Sequence, residues 1–105
     1  MIMGMYNYLY AEITCPICKQ NSKMEIEFRI GYLNIDKYII GDKIRWSDGL
    51  KKGLKGKRPQ DGNLIDEGYV VCEKCNHDFF VVITIKNDII VDVKIDNTKK
   101  GYIKN

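Results

Sequence analysis

Apolar and polar residues alternate with a period of two over most of this chain, and no convincing stretch repeats them at helical spacing. Such alternation sends successive side chains to opposite faces of an extended strand, so the pattern predicts a mainly β domain. Residues 5–14 place Tyr6, Tyr8 and Tyr10 on one face and Leu9, Ala11 and Ile13 on the other. The tyrosine stripe is expected to pack on a neighbouring strand with its hydroxyls reaching water, rather than to serve as a partner surface. Residues 24–30 turn Met24, Ile26, Phe28 and Ile30 one way and Glu25, Glu27 and Arg29 the other, a half-buried antiparallel pattern. Residues 38–40, then Gly41-Asp42, then residues 43–46 read as strand, turn or bulge, and strand. Gly41 there supplies a backbone angle that other residues resist.

Strand character returns over residues 64–72, and the clearest element follows the last cysteine. Two β-branched runs, 79–86 and 89–95, flank Asn87-Asp88, a hairpin signal. Strict alternation sets Phe80 and Val82 beside Val91, Val93 and Ile95, and Val81, Ile83 and Ile85 beside Ile90, Asp92 and Lys94. Both faces are apolar near the turn, so the hairpin is expected at the centre of the sheet, covered on each side.

Between these patterned segments, residues 47–63 lack apolar periodicity and carry Gly49, Gly53, Gly56, Gly62 and Pro59. They read as one long flexible loop, of the kind that is functional or disordered in compact domains. A short helix over residues 47–54 is the one helical candidate, and Trp46 is expected to anchor the loop to the core. The polar tail, residues 97–105, is expected to fray. At 105 residues the chain, 1–105, has room for a single core.

The four cysteines change the picture most. They form two pairs, Cys15-Pro16-Ile17-Cys18 and Cys72-Glu73-Lys74-Cys75, with about half of the chain between them. Each pair lets a short turn offer two thiolates to one cation, and two pairs complete a tetrahedral shell. Cys15, Cys18, Cys72 and Cys75 are therefore read as the ligands of a structural Zn²⁺, iron being the alternative metal for the same set. In such knuckles the residue after the second cysteine often takes positive φ; Asn76 suits that position better than Lys19. Disulfides would need export, and a redox Cys-Pro-x-Cys would need a helix where an alternating strand follows instead. The fold expected is a zinc-ribbon-like antiparallel β domain with a long inserted β segment and loop.

A complete four-thiolate shell leaves no open coordination position for activating water. His77, the only histidine, is read as a surface residue or one near the ligands. The carboxylates form no recognisable catalytic pair, and there is no phosphate-binding glycine loop or nucleophile elbow. An enzyme is not expected, nor is a small-molecule substrate evident.

The net charge of +3 is mild, but Lys51, Lys52, Lys55, Lys57 and Arg58 together exceed it, so the remainder of the chain is acidic. With Lys43 and Arg45 on the preceding segment they make a candidate contact for phosphate backbones or for an acidic protein surface. No aromatic residue lies within the run, which removes the stacking element of a single-strand binder. Residues 1–10 lack the basic start and long apolar run of a signal peptide. No segment approaches the roughly 20 apolar residues of a membrane span. Reduced, metal-held thiols then point to the cytoplasm.

Met3-Gly4-Met5-Tyr6-Asn7-Tyr8, followed by Cys15-Pro16-x-Cys18 and a later Cys-x-x-Cys, resembles a group of short zinc-ribbon proteins of bacteria and their phages. The resemblance covers the N-terminal third and the second knuckle. It implies translation from Met3, with Met1-Ile2 an upstream extension, and zinc on Cys15, Cys18, Cys72 and Cys75. The chain departs from the group's pattern at Asn7, where Asp is usual, and at Lys19 and Asn76, where Gly is usual. The group has no settled activity to carry over. The function expected is a non-enzymatic protein-interaction module, of immunity or anti-defence type as a special case; the alternative is nucleic-acid binding through residues 51–58.

Overall fold

A computed structural model describes residues 6–47 and 57–101, and within them every regular element is a strand. In chain order these are β1 (Asn7–Thr14), β2 (Asn21–Phe28), β3 (Lys37–Ile39), β4 (Leu64–Val71), β5 (Asp78–Lys86) and β6 (Ile89–Ile95). They form one sheet in the order β3-β1-β2-β4-β5-β6. All neighbours are antiparallel except β1 and β3, which run parallel, so the sheet is mixed rather than wholly antiparallel. The short helix considered for 47–54 falls on residues outside those described, apart from Ser47.

The sheet curls until its two ends meet. Beyond β3 the chain reaches the start of β6: Gly41 N–H donates to Ile90 O at 2.8 Å, Ile90 N–H to Asp42 O at 3.0 Å, and Ile44 N–H to Asp88 O at 2.7 Å. Of the strand expected over residues 43–46, one bridge remains, Lys43 to Ile89. Gly41 takes φ +103°, the angle its position was expected to need. Inside the curl lie Leu9, Ile26, Ile30, Val70, Val81, Ile83, Ile85 and Ile90, each no more than 1% exposed. A side chain on Gly68 would lie 2.5 Å from Ile26 Cγ2 and 3.0 Å from Ile83 Cδ1, so its absence lets three strands close on one another.

The β5–β6 hairpin departs from its expected register for a definite reason. Asn87 and Asp88 both hold positive φ, 50° and 71°, the geometry of a type I′ turn. Past it, Ile85 faces Ile90, but Thr84 faces Asp92, leaving Val91 as an extra residue. That bulge reverses the parity of β6. Val93 and Ile95 therefore join Ile83 and Val81 on the inner face instead of Phe80 and Val82, and Asp92 and Lys94 move outward. Strict alternation would have set two charges against the core; one inserted residue removes them. β5 is buried along nearly its whole length, while β6 is the last strand of the order and half exposed, so the hairpin is not central.

Candidate metal centre

Cys15 follows β1 and Cys72 follows β4, each continuing the inward parity of its strand, and both are wholly buried. The two turns that begin with them are built alike. Lys19 N–H donates to Cys15 O at 3.0 Å and Cys15 N–H to Gln20 O at 2.9 Å. In the second, Asn76 N–H donates to Cys72 O at 2.7 Å and Cys72 N–H to His77 O at 2.8 Å. Lys19 and Asn76 both adopt the left-handed region, φ 65° and 61°, so the lysine accepts a conformation that favours asparagine or glycine. Ile17 N–H points at Cys15 Sγ from 3.4 Å.

The knuckles bring the four sulfurs within 4.8 Å of one another. Cys15 Sγ lies 3.8 Å from Cys75 Sγ, and Cys18 Sγ lies 3.8 Å from Cys72 Sγ. Zinc–thiolate bonds of about 2.3 Å at tetrahedral angles require sulfurs about 3.8 Å apart, so these edges fit such an ion. A disulfide needs about 2.05 Å, and all four cysteines are free. The four-sulfur set is thus a site able to hold a metal ion, tying the end of β1 to the end of β4.

Without a cation, thiols this close compete for protons. Burial pushes Cys15 up, but the backbone N–H groups of Cys18 and Ile17, with the Cys18 and Cys75 thiols, outweigh it and bring it to about 7. Burial pushes Cys75 up, and despite the His77 backbone N–H, its three sulfur neighbours carry it to about 12. A bound dication removes that competition by favouring four thiolates at once. The His77 ring stands apart from the ligand set; its Nδ1 is buried without a hydrogen-bond partner.

The basic residues are less uniform. Lys51, Lys52 and Lys55 lie outside the described residues. Lys57 is exposed, and Lys43 is exposed on the bridge to β6. The Arg58 guanidinium is bound to Asp88, Nε to Oδ1 at 2.7 Å and Nη2 to Oδ2 at 3.2 Å. Arg45 lies over the Tyr32 ring at 4.4 Å, with Asp36 4.0 Å away. Trp46 packs against the core and donates its indole N–H to Asp88 Oδ1 at 2.8 Å, as its anchoring role required.

Three features had no clear signal in the sequence. The wholly buried Asn7 amide brackets the turn after β2, donating to Ile30 O at 3.2 Å and Tyr32 O at 3.0 Å. Its oxygen accepts from Asn34 N–H at 3.1 Å and Asp36 N–H at 3.0 Å. Only its place in an alternating strand hinted at burial. On the outer face, Tyr8 donates to the Tyr6 hydroxyl at 3.2 Å, and that bond, with Glu25 and Glu27 nearby, pushes its own hydroxyl up to about 12. Beside the second knuckle runs an open groove of about 1000 Å³.

Comparison with family models, with curated proteins and with solved structures gives no match. Among the described residues no helix is long and apolar enough to cross a membrane.

Proposed function

We propose that this chain is a zinc-binding, non-enzymatic protein-interaction module, in which the metal staples a curled β-sheet that presents a surface to another protein. The observation that carries the reading is the convergence of the Cys15, Cys18, Cys72 and Cys75 sulfurs within 4.8 Å of one another. A shell of four thiolates is closed, so zinc there supplies structure and no catalytic water. Blocking a toxin or a host enzyme, as immunity or anti-defence proteins do, is the special case that suits a small stapled domain, and it accords with the motif likeness to short bacterial and phage zinc ribbons. Metal-held thiols also accord with a reducing cytoplasm.

The competing reading, phosphate binding through residues 51–58 with Lys43 and Arg45, is weakened by one observation: Arg58 and Arg45 are both engaged within the chain. Metal analysis of the purified protein tests the first part, with one zinc per chain and no colour expected; a red protein with one iron per chain would replace zinc. A stable stoichiometric complex with a protein partner, unaffected by charge reversal at Lys51, Lys52 and Lys55, supports the second part. Binding to random-sequence nucleic acid that falls steeply with salt, and flattens when those lysines are replaced, would overturn it.

A further inference from the structure

β2 is paired along its whole length with β1, from Asn7↔Phe28 to Thr14↔Asn21. On its other side the ladder with β4 has only two steps, Ile26↔Val70 and Glu27↔Tyr69. β4 ends at Val71, just before Cys72 and the second knuckle, while β2 runs on for five residues beyond its last ladder step at Ile26. Among the described residues, 21–25 have no ladder partner on that edge, so the alternate N–H and C=O groups directed away from β1 are not paired with a strand. An unpaired edge of this kind is a template for an added strand.

The groove's walls carry their own chemistry. Tyr10, Glu25, Glu27 and Tyr69 line one end; Lys23, Glu73 and Lys74 lie toward the knuckles. The register sets Tyr8, Glu27, Tyr69 and Phe80 in a row across β1, β2, β4 and β5. At the far end of that row the chain already seats a cation: Lys99 Nζ stands 4.5 Å from the Phe80 ring centroid and pairs with Glu67. Glu27 beside Tyr69 repeats the combination of carboxylate and ring one strand away, and among the described residues its carboxylate has no ion pair. Such sites favour cations through both charge and the ring quadrupole.

We propose that this groove docks an extended segment of a partner protein, added as a strand along residues 21–25, with a lysine or arginine seated between Glu25, Glu27 and the rings of Tyr10 and Tyr69. The proposal rests on the interaction-module reading and specifies its surface and the chemistry of its partner.

The test is a titration of the isotope-labelled, metal-loaded full chain, followed by NMR at about 150 mM salt, where weak long-range attraction is screened. Three probes are used: the capped heptapeptide Thr-Arg-Thr-Arg-Thr-Arg-Thr, the same peptide N-methylated at alternate residues, and its glutamate counterpart. The arginine peptide should shift amides within 21–27 and 69–76. The N-methylated and glutamate peptides should each bind about tenfold more weakly or worse. Glu27→Lys and Glu25→Lys, both pointing outward, should each weaken the arginine peptide about tenfold with the spectrum otherwise kept. Equal binding of the N-methylated peptide would overturn strand addition, and equal binding of the glutamate peptide would overturn cation recognition. Concentration-dependent shifts of the same amides without peptide would give the edge to a second copy of this chain and overturn the proposal. Shifts clustered elsewhere would overturn this groove while leaving the interaction reading standing, and no shift with any probe would also overturn it. Failure of the broader reading shows separately, as nucleic-acid binding in the absence of any protein complex.

Discussion

The side chain of Asn7 makes four hydrogen bonds from a position with no exposure to water, two as donor and two as acceptor. Aspartate, the residue expected there from the resemblance, keeps the acceptors and sets a carboxylate against two carbonyl oxygens. Asn7→Asp should therefore destabilise the fold by about 2–4 kcal/mol, read as a lower urea midpoint at neutral pH with the m-value unchanged. An unchanged midpoint would show that the turn after β2 does not depend on this amide. Ile35 in that turn is the opposite case. It is a β-branched residue at φ 56°, half exposed, its N–H held by Tyr6 O at 2.8 Å. Ile35→Asn should stabilise by about 1 kcal/mol, because asparagine accepts the left-handed region at lower cost and little burial is lost. Neither effect was legible from the residues alone. The alternation shows that position 7 faces inward, but what an inward polar group meets is decided by segments more than twenty residues away.

At the scale of elements, the β5–β6 hairpin shows where reading by period succeeds and where it stops. Strand existence, the two-residue turn and the shared face of Val81, Ile83 and Ile85 follow from the residues, whereas the inward direction of that face was decided by the fold. The bulge at Val91 does not, although the two charges that strict alternation would bury were its trace. Asp88 ties this turn to the rest of the molecule. Its carboxylate receives the Arg58 guanidinium and the Trp46 indole, and its main chain joins Gly62 and Ile44. The Arg58 hydrogen bonds, opposed by burial and helped by Trp46, hold the Asp88 carboxyl below its ordinary value. A depressed folded value means stability that is complete above the ordinary carboxylate range and lost as pH falls through the folded one. Asp88→Asn should then lower the unfolding midpoint at pH 7, and the gap from the parent should narrow as pH falls below the ordinary carboxylate range. A gap independent of pH would assign the effect to packing instead of charge.

For the whole molecule the question is what the metal adds to a core that is already substantial. The buried aliphatic residues follow the curl, whereas the sulfurs sit at one end, where β1 and β4 have no ladder between them. An ion held by them would be the direct tie between those strand ends, and would also shape the knuckle that walls the groove. Removing it with a strong chelator should lower the thermal midpoint by about 15 °C or more, corresponding to several kcal/mol in a domain of this size. Cys15→Ser and Cys72→Ser should each cost nearly as much as both together, since either opens the same shell. Acidification should release the metal as the thiolates protonate. An unchanged midpoint after chelation, with metal shown to be absent, would remove the staple from this account.

Period and spacing within the chain were enough to determine the β class, the inward faces of the first two strands, the hairpin turn and the four cysteines that come together as a possible metal site. Each of those is a local property: which way alternate side chains point, or how far apart two thiols in one turn lie. The parallel pairing of β1 with β3, the meeting of the sheet's ends, the reversed parity of β6 and the open edge of β2 were decided only in three dimensions. They depend on how strands distant in sequence compete for the same neighbours, and on two knuckles that must converge on one point, which ends β4 early and leaves part of β2 without a partner.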